Sequence, residues 1–152
     1  MRKCFFIALS LLFFTSSIFA MGGASKQGTS AHANVATVAK GNRVIVYYFH
    51  GNFRCSTCFK MEQHSKGAVK EYFKDELASG KIVFKAVNTD EKGNEHFVRD
   101  YGLYTKSLII SLVKDGREVK SKNLTKIWEY AWDERKFYDY VKMEVESYLK
   151  EL

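Results

Sequence analysis

Between Val44 and Phe49 the chain reads Val-Ile-Val-Tyr-Tyr-Phe, with no polar residue to mark a solvent-facing side. β-branched and aromatic residues favour strands, and an unbroken apolar run suits a strand covered on both faces by helices. His50 to Arg54 reads as a loop, and a helical pattern starts at Cys55 or Ser56, with Ala68, Val69, Tyr72, Phe73 and Leu77 at helical spacing. Gly67 is expected to bend or break this helix, and Ser79-Gly80 to end it.

The rest of the chain continues the alternation. Ile82 to Val87 is a second apolar strand, followed by a turn at Asn88-Thr89-Asp90. Asn94 is placed to cap a short helix that carries Phe97, Val98 and Tyr101 and stops at Gly102. Leu108 to Val113 is a third strand. Asp115-Gly116 is a hairpin-turn signal, so Glu118 to Leu124 should pair antiparallel with it, Lys120 and Lys122 protecting the edge. A short helix is expected around Ile127 to Ala131, and a final helix from Asp133, with Phe137, Val141, Val145, Tyr148, Leu149 and Leu152 along one side. The order β-α-β-α-β-β-α requires an α/β fold with a single central mixed sheet and helices on both faces.

The N-terminal residues carry the expectation about compartment. Residues 1–20 read as a signal peptide: Arg2 and Lys3 are its positive end, Cys4 to Phe14 its apolar run, and cleavage after Ala20 is expected. An uncleaved membrane anchor is the alternative, and both place the remainder outside the cytosol, in the periplasm or the extracellular space. Residues 21–37, small and polar, read as a flexible linker, and residues 38–152 as the folded domain. The formal net charge is +7, two units of it from Arg2 and Lys3, and the lysines are scattered rather than clustered. Such a surface argues against a nucleic-acid partner.

With Cys4 in the leader, the mature domain holds only Cys55 and Cys58. Their placement at the start of a helix has a chemical use, because the free N–H groups and positive dipole end of a helix favour a thiolate over a thiol. Arg54 would add to that. The thiolate is the form that attacks a disulfide. Cys55, nearer the exposed end, is expected to attack, and Cys58 to resolve the mixed disulfide. An inert disulfide is the weaker alternative, because so short a loop restrains the unfolded chain little. A metal site is the other alternative: Cys55, Cys58 and His50 supply three ligands at most, short of a closed zinc site and better suited to Cu(I).

The stretches Val44–Phe49, Cys55-Ser56-Thr57-Cys58, Val87-Asn88-Thr89-Asp90, Tyr101-Gly102-Leu103 and Leu108–Val113 with Lys114-Asp115-Gly116 resemble the thioredoxin superfamily over roughly residues 40 to 150. Within it, Tyr47 to Cys58 and Leu103 to Leu108 are similar to exported ArsF-type proteins labelled as a subunit of a nitrophenyl-compound nitroreductase. The resemblance implies a thioredoxin-like fold and an exported thiol–disulfide oxidoreductase. Its partners would be a protein or small-molecule disulfide or thiol and an external electron donor or acceptor, including a membrane-associated redox partner. No flavin or nicotinamide fingerprint is present, so the redox-active Cys55–Cys58 disulfide is the only cofactor expected.

Three departures from thioredoxin bear on the site. The chain contains no proline, and Thr105-Lys106-Ser107 occupies the region where the family has a cis-proline facing the cysteines. Arg54 replaces the tryptophan before the first cysteine. The buried acid of the first strand is replaced by apolar and aromatic residues, which leaves His50 as the nearest candidate in sequence to move a proton for Cys58. His64 and His96 are expected on helix surfaces. Tyr47, Tyr48, Trp128, Tyr130 and Trp132 are expected to pack, with Trp128 and Trp132 also able to form an exposed patch. The competing functions are an extracytoplasmic metal-handling thiol protein and a non-catalytic thioredoxin-like subunit of a larger reductase complex.

Overall fold

A computed structural model describes residues 41–152. The expected signal peptide and linker lie outside the described residues. Strand β1 (Arg43–His50) leads through a loop into α1 (Ser56–Tyr72) and the short α2 (Lys74–Ala78); then follow β2 (Ile82–Asn88), α3 (His96–Asp100), β3 (Ser107–Lys114), β4 (Arg117–Asn123), a 3-10 turn (Thr125–Ile127) and α4 (Glu134–Leu149). The sheet order is β2-β1-β3-β4, with β1 parallel to β2 and antiparallel to β3, and β4 antiparallel to β3. This is the mixed sheet that the sequence predicts, in the order and pairing of a thioredoxin-like fold. Among the described residues no helix is long and apolar enough to cross a membrane.

The apolar run of β1 is divided between two faces by the strand's two-residue period. Val44, Val46 and Tyr48 join Leu108, Ile110 and Leu112 of β3 in a core closed by Met61, Ala68 and Val69 of α1 and Phe137, Val141, Val145 and Tyr148 of α4. Phe49 and Ile109 point the other way, into a small cluster with Leu103, against which Tyr47, Val87, Phe97 and Tyr101 pack. The two inner strands are therefore buried on both sides, whereas β2 is an edge with Lys85 and Ala86 exposed.

The hairpin forms as expected: Asp115 (φ 51°) and Gly116 (φ 78°) both take the positive φ that such a two-residue turn demands. A register shift between Leu112 and Val113 leaves Lys120 opposite Leu112 and Glu118 opposite Val113. Lys120 and Lys122 reach Glu151 (2.6 Å) and Glu144 (2.8 Å) on the α4 side. Glu118, on the other side, accepts from the hydroxyls of Tyr101 and Ser111 and so ties α3 to the sheet.

Several boundaries differ from expectation. Gly67 does not break α1, which runs on through it; the break falls at Phe73 (φ −131°, ψ 41°). The reason for glycine is contact, since a Cβ at residue 67 would come within 1.9 Å of Tyr138 Oη on α4. Asn94 does not cap α3; its amide donates instead to the Asn88 carbonyl (2.9 Å), and Glu95 precedes the helix. The helix expected at Ile127 to Ala131 is a 3-10 turn two residues earlier, buried at Ile127. His64 is not on the surface: its side chain, 12% exposed, lies against the rings of Phe137 (5.4 Å) and Tyr138 (5.9 Å) between α1 and α4. The final helix begins as predicted, with Asp133 capping the Lys136 N–H at 3.1 Å.

Candidate functional site

Strand β1 ends at His50, and after five intervening residues the chain enters α1 at Ser56. Cys55 is the residue before the helix, in extended conformation (φ −93°, ψ 170°), so its side chain sits at the helix N-terminus. Cys55 is exposed and Cys58, one turn in, is 2% exposed; both are free thiols. The Cys58 thiol, followed by the Cys58 main-chain N–H and to a lesser degree those of Cys55 and Thr57, holds the Cys55 thiol below its ordinary value. An accessible, acidified sulfur therefore lies beside a shielded one.

Tyr48 of β1 reaches the pair from the core side. It is fully buried, and its hydroxyl donates to the Cys58 carbonyl at 2.6 Å. Burial, and after it the neighbouring Cys58, push the phenol far above its ordinary value, so Tyr48 stays protonated and serves as a donor, not as a base. Sequence reading treated Tyr48 as packing alone; an aromatic residue with a hydroxyl on the core-facing period of β1 was the available signal.

The loop that presents Cys55 is knitted to the end of β2. The His50 carbonyl accepts from Thr89 N–H (2.7 Å) and Thr89 Oγ1 (3.1 Å). Asn52 N–H donates to Asp90 Oδ2 (2.7 Å), and Asn88 Nδ2 to Asn52 Oδ1 (2.7 Å). Gly51 leaves room for this contact, since a Cβ there would meet Asp90 Oδ2 at 2.8 Å and push that side chain aside. Asn52, Asn88 and Asp90 were not singled out as site residues; the Gly-Asn pair and the Asn-Thr-Asp turn, at equivalent strand ends of a parallel pair, were the clue.

Thr105 and Lys106 come to the same end of the sheet. With His50, Gly51, Phe53, Asp90 and Tyr104 they line a cleft of about 230 Å³. Ser107 begins β3, buried, with Oγ donating to the Thr105 carbonyl (3.0 Å), and Trp128 Nε1 donates to the Lys106 carbonyl (3.1 Å). Large apolar side chains stand exposed around this end: Phe53 (83%), Tyr104 (99%), Trp132 (70%) and, less so, Phe59 and Trp128.

Arg54 and His50 are placed differently from what sequence proximity suggests. The Arg54 guanidinium pairs with Glu62 and lies 4.2 Å from the centre of the Phe59 ring, so its charge is already compensated. His50 Nδ1 is 3.1 Å from the Gly51 carbonyl oxygen. Among the described residues no group of three or more His, Cys, Asp and Glu side chains is arranged to hold a metal ion. His50 thus does not complete a ligand set with Cys55 and Cys58.

No protein-family model and no curated protein sequence matches the chain. Solved structures that match include a thioredoxin from Fasciola hepatica (23% identity over 60% of this chain and 81% of that one, TM-score 0.38). Others are thioredoxin f2 from Chlamydomonas reinhardtii (15%, 65% and 83%, TM-score 0.34) and a thioredoxin from Thermus thermophilus (17%, 59% and 71%, TM-score 0.35).

Proposed function

We propose that this protein is an exported thiol–disulfide oxidoreductase in which Cys55 attacks and Cys58 resolves. The observation that carries the reading is the asymmetry of the pair: Cys55 exposed and acidified at the start of α1, Cys58 buried one turn further in. In the reducing direction the Cys55 thiolate attacks one sulfur of a partner disulfide and the other sulfur leaves as a thiolate, which takes up a proton. Cys58 then gives up its proton and attacks the Cys55 sulfur. The mixed disulfide breaks, the second partner thiol departs, and the Cys55–Cys58 disulfide holds the two electrons' worth of oxidation until an external donor reduces it. The same steps in reverse oxidise a dithiol.

The exposed Phe53 and Phe59, which flank Cys55 in the chain, and the exposed Tyr104 and Trp132 favour a protein surface as the partner over a small disulfide, because aromatic side chains supply contact area at low entropic cost. A docked subunit of a larger reductase complex, as the ArsF-type resemblance suggests, is the second reading that these residues support. A Cys58→Ser variant should accumulate a mixed disulfide through Cys55, and the wild type should turn over a disulfide substrate with a dithiol reductant. Absence of both eliminates the oxidoreductase. Unaltered cellular function in a Cys55→Ser/Cys58→Ser variant would favour the docked subunit.

A further inference from the structure

Glu62 stands four residues after Cys58 on α1, which puts both on one side of the helix with Cβ atoms roughly 5–6 Å apart. Its carboxylate receives the guanidinium of Arg54 across a loop, although Arg54 is the chain neighbour of Cys55. The pair is mostly buried, with side chains 17% and 25% exposed, and the Phe59 ring covers the guanidinium. Arg54 Nε is buried without a hydrogen-bond partner among the described residues, so the guanidinium is held by one carboxylate and one ring and is not locked on every side. The titratable groups that act on Tyr48, whose hydroxyl meets the Cys58 carbonyl, are Cys58, Arg54, Glu62 and Cys55, so one phenol adjoins both thiols and the Arg54–Glu62 pair.

We propose that Glu62 is a positioning residue for the exchange reaction, drawing the Arg54 charge back from Cys55 so that the Cys55 thiolate stays a reactive nucleophile. The inference rests on the exchange role proposed for Cys55. A cation free beside a thiolate stabilises it: each thiolate then attacks more slowly and leaves more easily, which turns such a pair into an oxidant even as the thiolate fraction rises. Glu62 works against that drift. The first turn of α1 and Cys58 supply the acidity, and the Arg54–Glu62 pair adds little net charge to it.

Glu62→Gln leaves the Arg54 charge uncompensated. The Cys55 thiolate fraction at about pH 6 should then rise roughly tenfold, a titration lower by about one unit. Iodoacetamide alkylation at that pH should rise only about threefold, because nucleophilicity falls with acidity. The reduction potential of the pair should move in the oxidising direction. Glu62→Asp, which keeps the charge, should restore wild-type titration. In an Arg54→Met background the Glu62→Gln change removes the second charge of the pair and should bring the titration back close to the wild-type value. An unmoved Cys55 titration in folded Glu62→Gln, or a double variant that titrates as low as Glu62→Gln alone, overturns the proposal. Should Glu62→Gln fail to fold, Arg54→Met decides by the opposite sign: it leaves Glu62 unopposed and should slow alkylation at about pH 6, and no slowing overturns the proposal. Alkylation needs no protein partner. A variant series that behaves as stated while Cys58→Ser traps nothing would therefore sink the exchange reading and leave the charge arrangement standing.

Discussion

On one face of the sheet, β1 and β3 are sealed by α1 and α4, and Val44, Val46, Met61, Ala68, Leu108, Ile110, Phe137 and Val141 are fully buried. On the other, the five-residue α3 covers only Phe49, Leu103 and Ile109, and the aromatic residues around them stay partly exposed. The same strands build both faces, so the difference comes from what lies over them. The closed face fixes α1, and with it the place of Cys58 and the direction in which the helix N-terminus points. The open face meets the loops after β1 and β2 and before β3, where the cleft and the exposed Phe53 and Tyr104 lie. The chemistry sits at the join: Cys58 belongs to the closed side, and Cys55 stands exposed in front of it.

The largest test of this contrast is a pair of truncations. Phe137→Ala on the closed face should cost about 3–5 kcal/mol, because a fully buried ring leaves a cavity that two helices and a sheet cannot collapse to fill. Phe97→Ala on the open face should cost about 1–2 kcal/mol, since solvent already reaches the site. Urea unfolding of the full chain measures both. Equal costs would mean that the small cluster is as tightly specified as the main core.

A smaller effect is expected where the two regions meet. Tyr48→Phe keeps the ring in the core and removes the hydroxyl that holds the Cys58 carbonyl, which should cost about 1 kcal/mol. The carbonyl keeps its place in the helix, so a loss well above that would assign Tyr48 a wider role. Smaller again is Asp90→Ala. It frees the Asn52 N–H in the exposed loop network, and stability should fall by less than about 1 kcal/mol while hydrogen exchange at Asn52 speeds up by about tenfold. Unchanged exchange at Asn52 would show that the loop does not depend on this latch.

The order of the elements and the buried side of α4 were legible in the sequence: the unbroken apolar run of β1 states that both its faces are covered, and the stripe Phe137, Val141, Val145 and Tyr148 states which side of α4 is buried. The position of the cysteine pair was legible for the same reason, as a strand end followed by a helix start. What periodicity does not carry is contact between distant segments. Gly67 looked like a helix breaker because its local propensity is poor; its partner, Tyr138, is far away in sequence. Arg54 looked like a partner for Cys55 because it is adjacent, yet the fold brings Glu62 to it. Asn94 looked like a cap because its residue type favours one, and the Asn88 carbonyl took its amide instead.

His64 gives the smallest and most selective test, because it asks whether the closed face excludes a charge. Its ring lies between α1 and the Phe137 and Tyr138 rings of α4. Burial pushes the imidazole below its ordinary value; Glu134, 3.7 Å away, opposes this, and Lys60 adds to it. The unfolded chain takes up the His64 proton around pH 6.5, while the folded protein still holds the ring neutral. The unfolded state therefore binds more protons in that window. The stabilisation is complete above about pH 6.5 and is lost as pH falls from there through the lower folded value. Stability measured by urea midpoints should drop between about pH 7 and about pH 5, and His64→Gln should make that drop shallower by a few tenths of a kcal/mol. An equal slope in the variant would place the Glu134 carboxylate, and not burial, in control of the ring, and would make the α1–α4 side more permeable to charge than its packing implies.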